Sequence, residues 1–214
     1  KDWPEMPALN EHMLLKVCAY ITDPVTTTDE LIPSGETGSF RSNPMGLAEF
    51  TLSRRVPEYV GKAKAVMNNE KARKSGECPK EVTEALEKVR TIPGFANVDA
   101  DSIDLSSTIY AVKPGDGSAR EQAASCQRVL LGGANIAKEY ATKRYRSNLI
   151  NWGMLPFIIP EGELPFANGD YIFVPEIRKA VEEKADVIPA FVVKDGALVP
   201  FEMTLGALTD DERE

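Results

Sequence analysis

Apolar and polar positions along the chain change period several times, and each change marks an element. Met13 to Ile21 alternates as a strand does, and Pro24 to Phe40, rich in Thr, Gly, Ser and Pro, reads as a loop. Asn43 to Arg55 reads as a helix. Pro57 to Arg90 is a charged helical region whose apolar stripe runs through Val60, Ala63, Ala65, Val82, Ala85, Leu86 and Val89, interrupted between Lys74 and Pro79. Ser106 to Val112 is a buried strand that runs into a Gly-Asp-Gly turn, after which Ala119, Ala123, Cys126 and Leu130 recur at helical spacing. A strand over Ala134 to Tyr140 precedes a helix over Thr142 to Trp152, and Phe157 to Ile159 is short and apolar. Tyr171 to Val174 is a strand, and Pro175 to Lys184 is a helix with proline in its first turn. Phe191 to Val193 and Ala197 to Phe201 form a hairpin across Asp195-Gly196. Strands alternating with helices give an α/β class, a mixed sheet with helices packed on it, to which the hairpin adds an antiparallel edge.

Composition narrows the function. The 214 residues, 43% hydrophobic and 27% charged, suffice for one well-buried core, so a single domain over 1–214 is expected. A net charge of −8 offers no basic footprint for a phosphate backbone, which argues against nucleic-acid binding. No apolar run approaches the ~20 residues of a membrane span and no cationic-plus-apolar leader is seen, so the expectation is a cytoplasmic protein without membrane attachment. Cys18, Cys78 and Cys126 are odd in number and lack a C-x-x-C pair, which points to reduced thiols. Cys18 and Cys126 fall on apolar faces and are expected in the core, whereas Cys78 beside Pro79 is expected at the surface. The single histidine, His12, reads as surface or satisfied core, and the cations between Lys62 and Lys74 as a solvated helix face.

The chemistry concentrates in GDGSAREQAA, Gly115 to Ala124. Gly115 and Gly117 allow a sharp turn that would set Ser118 at the mouth of the following helix. Unpaired N–H groups and the positive end of the helix dipole favour an anion there, and Arg120 could add a fixed cation. The same residues also read as a capping box, Ser118 and Glu121 closing the first turn. Arg144, Arg146 and Asn148 could supply a further anion contact or simply form a polar helix face.

Two stretches carry a family resemblance. Gly115 to Phe157, GDGSAREQAASCQRVLLGGANIAKEYATKRYRSNLINWGMLPF, resembles the C-terminal swivel domain of the aconitase superfamily, with its Gly-x-Gly-Ser-Ser-Arg-Glu-His run and an ending of Asn-Leu, Gly and Leu-Pro. TTDELIPSGETGSFRSN, beginning at Thr27, resembles that family's Thr-Thr-Asp-His-Ile segment, and Gly35 and Arg41 fall at matching distances from Asp29. The resemblance implies a swivelling β/β/α domain that partners cluster-bearing domains carrying a 4Fe-4S centre and binds a small carboxylate. It implies Ser118 as the base that takes the proton beside a substrate carboxylate, Arg41 and Arg120 as carboxylate clamps, and Asp29 as an active-site acid that orients an arginine or the serine. A serine can be a base only where cations and N–H groups stabilise its alkoxide. The reaction implied is reversible dehydration of a hydroxy di- or tricarboxylate, with iron on the other domains receiving the hydroxyl as a Lewis acid.

The chain also departs from the pattern. Ala119 stands for the second serine and Gln122 for the histidine, and loss of the hydroxyl at Ala119 points to a hydratase branch whose substrate differs from citrate. The cysteines give no cluster-binding set, so the cluster is expected N-terminal to Lys1. Lys1 and the acidic LTDDERE ending read as the flanks of an excised piece, and residues 57–90 as a helical insertion. Two other readings stay open: the small subunit of isopropylmalate isomerase, which shares the Gly-Ser-x-Arg run, and a non-catalytic domain that binds a carboxylate or a partner.

Overall fold

The computed structural model describes residues 9–33, 43–118, 120–159, 162–194 and 197–205. Its spine is β1 (His12–Ile21), flanked by β3 (Ile103–Ala111) in parallel and β7 (Tyr171–Val174) in antiparallel register. Outward from β3, β5 (Gly132–Ala137) and β6 (Leu155–Ile158) continue in parallel; outward from β7, β8 (Ile188–Lys194) and β9 (Ala197–Met203) continue in antiparallel order. The seven strands follow the order β6-β5-β3-β1-β7-β8-β9. Beyond β9 the sheet curls until its edges meet, Ile158 and Thr204 exchanging backbone hydrogen bonds of 2.6 and 2.8 Å. Closing the edges in this way removes unpaired N–H and C=O groups that would otherwise template aggregation.

Period-2 alternation sorts the strand residues between two cores. Met13, Leu15 and Val17 face Ile136, Phe157, Ile172, Val192 and Met203 on the inner face of the curl. Leu14 and Cys18 face the helices with Tyr59, Val66, Leu86, Cys126 and Leu149. A register shift between Val17 and Ala19 sends Cys18 and Ala19 to the same side and returns Tyr20 to the other, where it meets Tyr110 and Phe166. Each large side chain so buried contributes roughly 2 kcal/mol. The α/β class with a mixed sheet, read from the sequence, is the architecture observed.

The helical layer follows the pattern in most places. α3 (Glu58–Lys74) and α4 (Lys80–Val89) occupy the region 57–90 and bury Tyr59, Ala63, Val66, Val82 and Leu86 against the sheet. α5 (Gln122–Val129) and α6 (Lys143–Asn151) join β5 to its neighbours, and α7 (Ile177–Glu182) follows β7. Two expectations need correction. Asn43 to Arg55 is not one helix: α2 spans only Pro44–Ala48, and turns follow, because Leu52 takes a left-handed φ of 55° and donates its N–H to Leu31 O at 2.8 Å. That long-range bond outweighs the local helical preference. Asp29 lies not in a loop but in a short helix, α1 (Thr28–Leu31), which follows a two-residue strand β2 (Thr26–Thr27) and is capped by Thr27 Oγ1 accepting from Glu30 N.

Candidate functional site

Three of the residues singled out in the sequence converge at the C-terminal end of β1 and β3. After β3 the chain enters β4 (Pro114–Asp116), which pairs in parallel with β2, Thr26 facing Pro114 and Thr27 facing Asp116. This small ladder brings α1 beside the turn that follows Asp116. Thr28 Oγ1 donates to the carbonyl of Ser118 at 2.9 Å across 90 residues of chain. Arg120 reaches back in the other direction: its Nη2 donates to Thr28 O at 2.8 Å and to Ile32 O, and lies 3.8 Å from Asp29 Oδ1. Ser118, Arg120 and Asp29 therefore share one neighbourhood. Arg41 and Ala119 lie outside the described residues.

The glycines make the approach possible. Gly115 has φ 97° and sits on the Tyr145 ring, so a Cβ there would collide with Tyr145 Cγ. Gly117, φ 94°, lies over Thr28 Oγ1. Under the turn, three buried side chains close a polar triangle: Tyr145 Oη donates to Asn135 Oδ1 at 2.6 Å, Asn135 Nδ2 to Gln127 Oε1 at 2.7 Å, and Gln127 Nε2 to Tyr145 Oη at 2.9 Å. Thr142 Oγ1 adds a bond to Gly115 O, so the floor of the site is rigid.

The helix-mouth reading of Ser118 is corrected. α5 starts at Gln122, and its N-terminal flanking residue is Glu121, which makes no side-chain cap bond. The capping box does not form: Glu121 Oε1 instead accepts from Trp152 Nε1 at 3.0 Å. Ser118 is exposed, on a turn in front of the helix.

Arg120 is mostly buried, with 18% of its side chain exposed, and Asp29 is open at 57%. With Nη2 committed to backbone carbonyls, Arg120 presents Nη1, a buried nitrogen without a hydrogen-bond partner among the described residues. Thr26 Oγ1 is likewise buried without a hydrogen-bond partner among the described residues, and Glu30 Oε2 has only the ion pair with Arg55 Nε at 3.8 Å. Unpaired buried polar groups are rare, and functional sites are among the places where they are found.

The remaining candidates fall elsewhere. Arg146 Nη2 donates to Leu205 O at 3.3 Å, and Arg144 is exposed. Cys18 and Cys126 are wholly buried, and burial pushes both thiols up to about 12, while Cys78 is exposed. The described residues contain no group of three or more His, Cys, Asp or Glu side chains placed to hold a metal ion. No helix among the described residues is long and apolar enough to cross a membrane. Sequence reasoning passed over Thr28, although it stands inside the TTDEL stretch, and Tyr145, although Gly115 signalled a close approach.

No family model matches the chain, and no curated protein does. Among solved structures the chain is similar to 3-isopropylmalate dehydratase from Methanocaldococcus jannaschii, at 18% identity over 94% of this chain and 87% of that one, with a TM-score of 0.48.

Proposed function

We propose that this chain is the carboxylate-binding, base-donating part of an aconitase-superfamily hydro-lyase that dehydrates or hydrates a hydroxy di- or tricarboxylate. The observation that carries the reading is the meeting of its two motif stretches. TTDEL and GDGSAR resemble the family by residue order alone, and they lie side by side through the β2–β4 ladder, the Thr28–Ser118 bond and the Arg120 contacts to α1. The adjacency of Arg120 and Asp29, with the Ser118 carbonyl held by Thr28, supports reading the two stretches as one site.

In this reading Ser118, an exposed residue, takes the proton from the carbon beside a substrate carboxylate. The Arg120 guanidinium receives one carboxylate, and Asp29 holds that guanidinium against rotation. Arg41 supplies the second carboxylate contact. The hydroxyl-accepting chemistry would be supplied by a 4Fe-4S cluster on partner domains, as the family resemblance implies. Ala119, lacking the hydroxyl of the family pattern, favours a substrate other than citrate, and for the same reason the isopropylmalate isomerase small subunit stands as the second reading.

The test is turnover of the chain combined with its cluster-bearing partner, followed by absorbance of the unsaturated acid, with citrate, isocitrate and 2-isopropylmalate offered in turn. Ser118→Ala is expected to lower turnover roughly a thousandfold, within the range of a lost general base, and to leave thermal unfolding unchanged because Ser118 is exposed. Undiminished turnover in that variant overturns the assignment. Carboxylate binding with no turnover on any of the three acids moves the chain to the non-catalytic class.

A further inference from the structure

The site contains a residue that touches neither substrate nor reacting atoms in the reading above and yet fixes both groups that do. Thr28 is 4% exposed, and it makes two opposed contacts. Its hydroxyl donates to Ser118 O at 2.9 Å, and its carbonyl accepts from Arg120 Nη2 at 2.8 Å as well as from Ile32 N at 2.9 Å. Beyond the Thr27–Asp116 rung the chain passes through Gly117 at φ 94°, a residue that by itself sets no preferred direction. The direction of the Ser118 side chain follows from the backbone dihedrals at 117 and 118, and the Thr28 hydroxyl bond restrains them.

We infer that Thr28 is a positioning residue, a two-ended latch that sets the Ser118 hydroxyl and the Arg120 guanidinium at a fixed separation. The inference rests on the hydro-lyase reading for its effect on rate, but the latch itself is a statement about the turn. Reacting groups must be held to within a fraction of an ångström, and displacement by about 1 Å can lower a rate a hundredfold. Removing the hydroxyl leaves the turn closed but unheld.

Thr28→Val keeps the shape and deletes the donor; Thr28→Ser keeps the donor and deletes a methyl. In the complete enzyme, Thr28→Val is expected to lower kcat tenfold or more, on the order of what such misplacement causes, with KM changed by about twofold or less. Thr28→Ser is expected to restore kcat to within about threefold of the parent. Independently of turnover, amide hydrogen exchange of the peptide spanning Gly115 to Gln122 in the chain is expected to quicken about fivefold in Thr28→Val and to return in Thr28→Ser. Exchange that is the same in all three proteins overturns the latch, as does a Thr28→Ser enzyme as slow as Thr28→Val. A parent kcat in Thr28→Val beside an inactive Ser118→Ala also overturns it while leaving the hydro-lyase reading intact. Quickened exchange beside a fully active Ser118→Ala sustains the latch and removes the reading.

Discussion

The two ends of β1 treat their polar groups in opposite ways. At its start His12 is nearly buried, and its Nδ1 accepts the backbone N–H of Glu176 at 2.8 Å. Its ring packs against Phe95 and Phe173, whose centroids lie 5.3 and 5.8 Å away. Past the far end of the strand, Thr26 Oγ1 and Arg120 Nη1 are shut from water without hydrogen-bond partners among the described residues, and Glu30 Oε2 has only its 3.8 Å ion pair with Arg55. Burying an unpaired polar atom is unfavourable by about 1–3 kcal/mol, so the first end is built for stability and the second tolerates instability. Sites that bind ligands are where such tolerance is expected, because the ligand completes the hydrogen bonds.

The frame beneath the second end should be the most sensitive point of all. Gly115→Ala would place a methyl in the Tyr145 ring, which cannot retreat because Gln127 and Asn135 hold its hydroxyl. It would also force alanine to a φ of 97°. Overpacking and a left-handed backbone together should lower stability by about 3 kcal/mol or more, read as a fall in the denaturant midpoint. A loss under about 1 kcal/mol would mean that the floor is soft and that the two ends differ less than their hydrogen bonds suggest.

Substituting Arg120 should change stability less and binding more. Arg120→Met deletes the donors to Thr28 O and Ile32 O but also relieves the unpaired Nη1. These effects oppose each other, so unfolding free energy should shift by about 1 kcal/mol or less, whereas affinity for a dicarboxylate, measured by calorimetry on the complete enzyme, should fall at least about tenfold. If stability fell severely while affinity held, Arg120 would be a strap between α1 and the turn, with no part in binding.

How far the sequence could be read follows the same division. Where local signals decide, they sufficed: Tyr171–Val174 is the expected strand, and α6 begins where Thr142 caps it by accepting from Tyr145 N. At the site, partners distant in sequence decide instead. Glu121 looks like the second half of a capping box until Trp152 is seen to occupy its carboxylate, and Asn43 to Arg55 looks helical until Leu52 is tied to Leu31. The motif residues Ser118, Arg120 and Asp29 were legible by type, but the residue that joins them, Thr28, acts through a bond no spacing rule announces.

The smallest expected effect belongs to the opposite end. Burial lowers the pKa of His12 below 6.5, outweighing the attraction of Glu11 and Glu176, and Arg178 adds to the lowering. The geometry agrees, since an Nδ1 that accepts the Glu176 N–H carries no proton. In the unfolded chain the same imidazole titrates near 6.5, so at pH values between that figure and the lower folded one the unfolded state binds more protons. Stability therefore rises with pH across that interval; the contribution is whole above about 6.5 and is lost as pH falls toward the folded pKa. His12→Asn retains an acceptor for Glu176 N and cannot titrate. Unfolding free energy measured from pH 5 to 8 should consequently slope less in His12→Asn than in the parent, and the difference should vanish above neutrality. Parallel curves would show that protonation leaves the Glu176 contact undisturbed, and the first end of β1 would then owe its order to Phe95 and Phe173 alone.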